Sequence, residues 1–114
     1  MANNRKLGSD KEIKAAEYLR QNNIEILVMN FRSKQGEIDI IGKDGEYLVF
    51  IEVKYRTSDI FGLPREAVNH SKQRKIKQTA MSYLKYCDIY DSVNVRFDVI
   101  DILDDEITHI KDAF

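Results

Sequence analysis

The sequence predicts an α/β domain in which a mixed central β-sheet is flanked by helices. Three observations lead there: two segments with apolar residues at helical spacing, five runs rich in β-branched and aromatic residues, and the second helix falling between the third and fourth of those runs. A helix in that position permits a parallel crossover, whereas Asp44-Gly45 before it is a hairpin signal. The predicted order is therefore α-β-β-β-α-β-β, an antiparallel hairpin beside a right-handed β-α-β unit.

Ser9 to Asn22 reads as the first helix, with Ile13, Ala15, Ala16 and Leu19 at helical spacing and Ser9-x-x-Glu12 as a capping box. Ile24 to Phe31 is the first strand, and Ser33-Lys34-Gln35-Gly36 supplies the turn after it. Glu37 to Gly42 and Glu46 to Tyr55 are the hairpin strands. Taking Asp44 and Gly45 as the two loop residues pairs Asp39 with Phe50 and Glu37 with Glu52. Asp39 and Glu52 then become diagonal neighbours, with Cα atoms roughly 7 to 8 Å apart and Lys54 on the same face. Pro64 can open a helical turn, but the convincing period runs from Ser71 to Tyr86, where Ile76, Ala80, Tyr83 and Cys87 share a stripe. Val93 to Ile102 and Glu106 to Ile110 complete the sheet.

A chain of 114 residues with 43% hydrophobic content fits one domain, residues 1–114. Apolar residues never run beyond the five from Tyr47 to Ile51, far short of the roughly 20 that span a membrane. The N-terminus leads into polar residues, so a cytoplasmic protein is expected. Cys87 is the only cysteine, which excludes an internal disulfide, and no Cys/His spacing suits structural zinc. The net charge of -1 argues against a strongly basic nucleic-acid binder, but its distribution is uneven. Lys54 to Lys77 carries a local balance of +5, and Asp88 to Glu106 one of -6. The basic segment, with Arg56, Lys72, Arg74 and Lys75, is either a phosphate-facing surface or a solvated one.

The chemistry rests on Asp39 and Glu52-x-Lys54. Carboxylates crowded on one patch of a sheet repel each other unless a cation compensates, and a divalent metal does so economically. The apolar stretch before Glu52 implies a strand covered on both faces, so these acids sit at the mouth of a buried sheet and need partners. Glu12 shares its helix register with Ala15, Ala16 and Leu19. It either points at the same patch or serves only as the acid of the capping box. Lys72 and Gln73 open the second helix and face either the patch or solvent.

These motifs resemble the PD-(D/E)xK nucleases of the restriction-endonuclease-like superfamily, and most closely the YraN family of small bacterial proteins expected to be endonucleases. The matching segments are Gly36-Glu-Ile-Asp-Ile-Ile, Val49-Phe-Ile-Glu-Val-Lys, Phe61-Gly-x-Pro-x-Glu-Ala-Val, Arg96-Phe-Asp-Val and His109-Ile-x-x-Ala-Phe, nearly the whole chain. Lys11 stands where a glycine is expected before Glu12, and Ile38 replaces the proline of the superfamily's name. The first half is also similar to archaeal Holliday-junction resolvases, whose helix-borne acid, aspartate and Glu-x-Lys correspond to Glu12, Asp39, Glu52 and Lys54. The resemblance implies hydrolysis of DNA phosphodiesters, branched or junction DNA included. Asp39, Glu52 and the Val53 carbonyl would hold Mg²⁺, with Mn²⁺ able to substitute. Lys54 would orient the attacking water, Arg56, Lys72, Gln73, Arg74 and Lys75 would contact DNA, and a two-fold homodimer would cut two strands symmetrically.

Other residues have plainer readings. His70 and His109 are read as structural or solvent-facing, Tyr55 as a core residue because it alternates away from Lys54, and Arg96 with Asp98 as an intrasheet ion pair. Thr57 to Leu63 is either a substrate-facing loop, with Phe61 stacking on a base, or a cap on the core. Two other classes of function fit the same chain: a non-catalytic nucleic-acid-binding adaptor using the Lys54 to Lys77 face, and a protein-binding module.

Overall fold

A computed structural model describes residues 2–57, 68–89 and 93–114, with residues 2–9 as backbone only. Helix α1 (Ala2–Gln21) leads into β1 (Glu25–Ser33), β2 (Gly36–Asp44) and β3 (Tyr47–Arg56); α2 (His70–Cys87), β4 (Asn94–Leu103) and β5 (Glu106–Ile110) follow. The strands form one sheet in the order β1-β2-β3-β4-β5, antiparallel except for the parallel β3–β4 pair. This is the mixed α/β architecture and element order that the sequence predicts. The Pro64 turn and the Thr57 to Leu63 loop beyond Thr57 lie outside the described residues.

Each face of the sheet carries one helix. Ala15, Ala16 and Leu19 of α1 pack with Ile24, Ile40, Val49, Ile51, Ile100 and Ile102. On the other side, Ile76, Ala80, Tyr83 and Leu84 of α2 pack with Ile38, Ile41, Leu48, Phe50 and Val99. The run Leu48 to Ile51 is buried because its alternate residues serve both cores. Asn69 caps α2 by accepting the Lys72 N–H at 2.9 Å, and Asp88 closes it in the left-handed region, where a short polar side chain is tolerated.

Three local expectations are corrected. Helix α1 begins at Ala2, so Ser9-x-x-Glu12 lies inside a helix and is no capping box. Ile13 is 49% exposed, since the inward stripe of α1 runs through Ala15, Ala16 and Leu19. In the hairpin Asp44 pairs with Tyr47, which makes Gly45 and Glu46 the loop residues, with Gly45 at φ 59° taking the positive-φ position. The register is thus two residues from the expected one. Because strand side chains have period two, this shift by itself moves no hairpin residue to the other face.

A second charged group is built on β4 and β5. Arg96 donates two hydrogen bonds of 2.9 Å to the fully buried Asp98 and one of 2.8 Å to Asp44. His109 Nε2 lies 2.6 Å from Asp98, whose other oxygen accepts the Asp112 N–H at 3.0 Å. The predicted Arg96–Asp98 pair is therefore part of a larger network that ties the last strand and the residues after it to β4.

Candidate functional site

The β2–β3 ladder ends at the Ile40–Ile51 pair. Beyond it β2 stays paired with β1 as far as Gly36, and β3 stays paired with β4 as far as Arg56, so the sheet forks. At the fork the Val53 N–H donates to Asp39 Oδ2 at 2.8 Å, a side-chain acceptor standing in for a ladder carbonyl. Extending the register one step sets Asp39 opposite Glu52, not diagonal to it. The parting of the two strands thus supplies an opening beside the core, with Ile76 on its wall.

Four elements send charged side chains to this opening. Glu12 of α1 and Glu37 and Asp39 of β2 bring carboxylate oxygens within 4.8 Å of one another. This settles the open choice for Glu12, which points at the patch. Glu52 of β3 is 7% exposed and lies 3.3 Å from Lys72 Nζ of α2. A pocket of about 190 Å³ opens here, lined by Gly36, Glu37, Asp39, Glu52, Lys72 and Lys75 among others. Gly36 belongs at its wall, since a Cβ there would come within 3.1 Å of Thr79 Oγ1. A larger hollow of about 470 Å³ on the outward side of α2 has no carboxylate among its described lining residues, and no comparable chemistry follows from it.

The electrostatics of the fork are those of partly buried carboxylates crowded against one another. Burial and the neighbouring Asp39 push both Glu12 and Glu52 up to about 7. Lys54 is lowered by burial and by Lys72 beside it, with Glu52 and Asp39 acting in the opposite sense. Lys72 is raised: burial opposes its charge, but Lys54 and Glu52 together outweigh that. The fork thus gathers four carboxylates with Lys54, Lys72 and Lys75, and Arg32 lies 3.5 Å from Glu37 at its edge, yet Glu12 and Glu52 still resist ionising. Oxygen donors crowded in this way fit a hard divalent cation. The group whose oxygens lie close enough to share one ion is Glu12, Glu37 and Asp39, whereas Glu52 is engaged with Lys72.

The sequence did not assign Glu37 a role, although its alternation with Asp39 carries the signal. Val53 enters the site through its amide, which donates to Asp39. The residues expected to contact nucleic acid separate into groups. Lys72 and Lys75 line the fork, while Arg74 lies exposed on the outward side of α2. Gln73 instead donates to the Val68 carbonyl at 2.9 Å. Arg56 is held 3.2 Å from the buried Asp101, with 13% of its side chain exposed, which corrects its placement on a phosphate-facing surface. Parallel pairing of β3 with β4 brings those two together across forty-five positions. Tyr55 is not a core residue: it is 41% exposed, with Lys11 Nζ 4.0 Å above its ring. Lys11, where the resembled family has glycine, therefore takes part in a cation–π contact one residue from Glu12.

Among the described residues, no helix is long and apolar enough to cross a membrane. Sequence comparison places the chain among full-length relatives. A protein of Lachnoclostridium phytofermentans is 47% identical over 94% of this chain and 91% of its own length. Relatives in Thermodesulfovibrio yellowstonii and Persephonella marina are each 48% identical, over 95% and 94% of this chain and 95% and 91% of their own lengths. All three carry the name UPF0102 protein. The profile of the uncharacterised protein family UPF0102 matches residues 11–102, which include Glu12, the fork and most of the sheet, and the chain belongs to that family.

Proposed function

We propose that the protein is a Mg²⁺-dependent endonuclease that hydrolyses DNA phosphodiester bonds, with branched or junction DNA as its substrate. The observation that carries this reading is the fork itself, where Glu12, Glu37, Asp39 and Glu52 meet Lys54 and Lys72 in an opening made by the separation of β2 from β3. Asp39 is the central ligand, Glu12 and Glu37 complete the group that can share one ion, and Glu52 and the Val53 carbonyl remain as further oxygen donors. A divalent cation bound there supplies activation of a water nucleophile and neutralisation of phosphate charge. Lys54 orients the attacking water and stabilises negative charge as one P–O bond forms from water and one ester P–O bond breaks. Lys72 holds Glu52 in place, and Lys75 faces the phosphates at the pocket wall. The protein acts in the cytoplasm, and a two-fold pair of such sites would cut opposed strands of a junction.

The test is incubation of labelled four-way-junction, flap, single-stranded and linear duplex DNA with purified protein in Mg²⁺, Mn²⁺ or EDTA, beside Asp39→Ala and Lys54→Ala. Metal-dependent cutting of the branched substrates, lost in both variants, is the expected result. Equal DNA binding by all three proteins with no cutting would sink the nuclease reading and leave a nucleic-acid-binding adaptor as the better account.

A further inference from the structure

Asn30 sits in the middle of β1 with φ 57°, in the left-handed region that extended strands avoid. Nothing about burial forces it there, since the residue is exposed. Its consequence is visible in the packing of both strands it influences. Along β1, Val28 packs on the α2 side and Met29 on the α1 side, so strict alternation would send Phe31 to the α1 side; it packs instead on the α2 side. The partner strand repeats the break. Ile41 faces α2 and Ile40 faces α1, yet Ile38 returns to α2. The register stays constant from Met29–Ile40 to Phe31–Ile38, which puts Asn30 beside Asp39 at the centre of this crease.

The crease matters because Glu12 comes from α1. With uninterrupted alternation Glu37, Asp39 and Ile41 would all project toward α2, and the sheet would separate them from α1. In the creased strand Glu37 and Asp39 still line the pocket beside Lys72 and Lys75 of α2, and they also bring oxygens within 4.8 Å of a Glu12 oxygen. The Asn30 carboxamide completes the arrangement, since it lies beside the Glu12 carboxyl and favours its charged form.

We infer that Asn30 is a positioning residue of the metal site, creasing β1 and β2 through its backbone and aiming the Glu12 carboxylate at Asp39 through its side-chain amide. The inference rests on the metal-binding reading of the fork. Asparagine suits both tasks, being among the few residues that tolerate the left-handed region and carrying an N–H₂ donor for a carboxylate. Glycine suits only the first.

Isothermal titration with Mn²⁺ on wild type, Asn30→Gly, Asn30→Asp, Glu12→Gln and the Asn30→Gly/Glu12→Gln double variant separates these contributions. Wild type should bind. Asn30→Gly should keep the wild-type circular dichroism and melting temperature yet bind Mn²⁺ about 10 to 100 times more weakly, the usual cost of losing a group that orients a ligand. Asn30→Asp, which keeps the backbone tolerance but sets a like charge against Glu12, should bind more weakly still. In the double variant the loss should match that of Glu12→Gln alone, because Asn30 acts through Glu12. Wild-type affinity in Asn30→Gly, additive losses in the double variant, or failure of both Asn30 variants to fold would each overturn the inference. No Mn²⁺ binding by wild type would remove the metal-site reading first, and this inference with it.

Discussion

The Asp98 network and the Asp39 fork are two clusters of acids on one small sheet, and they have opposite electrostatic balance. Asp98 is wholly buried, and burial alone would raise its pKa; contacts from His109, Arg96 and the Asp112 N–H more than offset that, so its carboxyl is held below the usual range. Asp44 is likewise lowered, first by its bond from Arg96. At the fork Glu12 and Glu52 are raised, first by burial and then by the neighbouring Asp39, and Lys72 and Lys54 only partly offset this at Glu52. A saturated cluster holds the fold together. A cluster whose burial and mutual repulsion are only partly offset destabilises the fold slightly and retains the capacity to bind a cation.

Breaking the saturated side should have the largest effect. Asp98→Ala leaves Arg96 and His109 without their shared partner and should lower stability by about 3–5 kcal/mol in urea titration. The acid limb tests the same cluster. A depressed carboxyl contributes stability that is present above its ordinary value of 3.8 and disappears as pH falls through the lower folded value. Asp98→Asn should therefore show a flatter loss of stability below about pH 4 than wild type does.

The fork should respond in the reverse direction. Folded Glu52 keeps its proton up to about pH 7, whereas the unfolded chain releases it near 4.5, so the folded state binds more protons in that window. Wild-type stability should consequently fall as pH rises from 4.5 to 7. Glu52→Gln should be more stable than wild type by about 2 kcal/mol at pH 8 and nearly equal to it at pH 4.5, while losing cleavage. A variant destabilised at pH 8 would show that Lys72 already balances Glu52. A smaller gain should come from metal itself: at ten times its dissociation constant, Mn²⁺ should stabilise wild type by about 1.4 kcal/mol in thermal melts and leave Asp39→Ala unchanged. Smallest of all, Lys14→Ala removes only the solvent-exposed pair with Asp105 at 3.2 Å and should cost less than about 0.5 kcal/mol in the same melts.

Period explains why so much of this was legible in the sequence. Reading alternation along Glu37 to Gly42 and Tyr47 to Lys54 groups Asp39 with Glu52 and Lys54 whichever nearby even register the hairpin adopts, so the mistaken choice of Asp44-Gly45 as the loop did no harm to the site. Helical spacing likewise brought Ile76, Ala80 and Tyr83 to the core. What escaped the sequence were long-range and non-periodic features. Asp101 claims Arg56 through a parallel pairing that no local pattern encodes. Lys11 covers Tyr55 because the middle of α1 passes the end of β3 there, at a rim where alternation no longer implies burial. The crease at Asn30 breaks the very periodicity on which strand reading depends; the sequence put Glu37 on the patch and offered Glu12 to it, but gave Glu37 no role and no sign of the crease.

That crease also bears on how the protein behaves in a crowded solution. β1 and β5 are the sheet's two outer strands, and among the described residues each has a strand partner on one side only, the arrangement that invites an extended chain to pair. β5 limits the risk by being only five residues long. β1 is nine residues long, but its register slips between Ile26 and Val28 and its backbone turns left-handed at Asn30, so no long flat stretch is left for a second chain to match. The kink that gathers the acids thus doubles as a guard against self-association into fibrils.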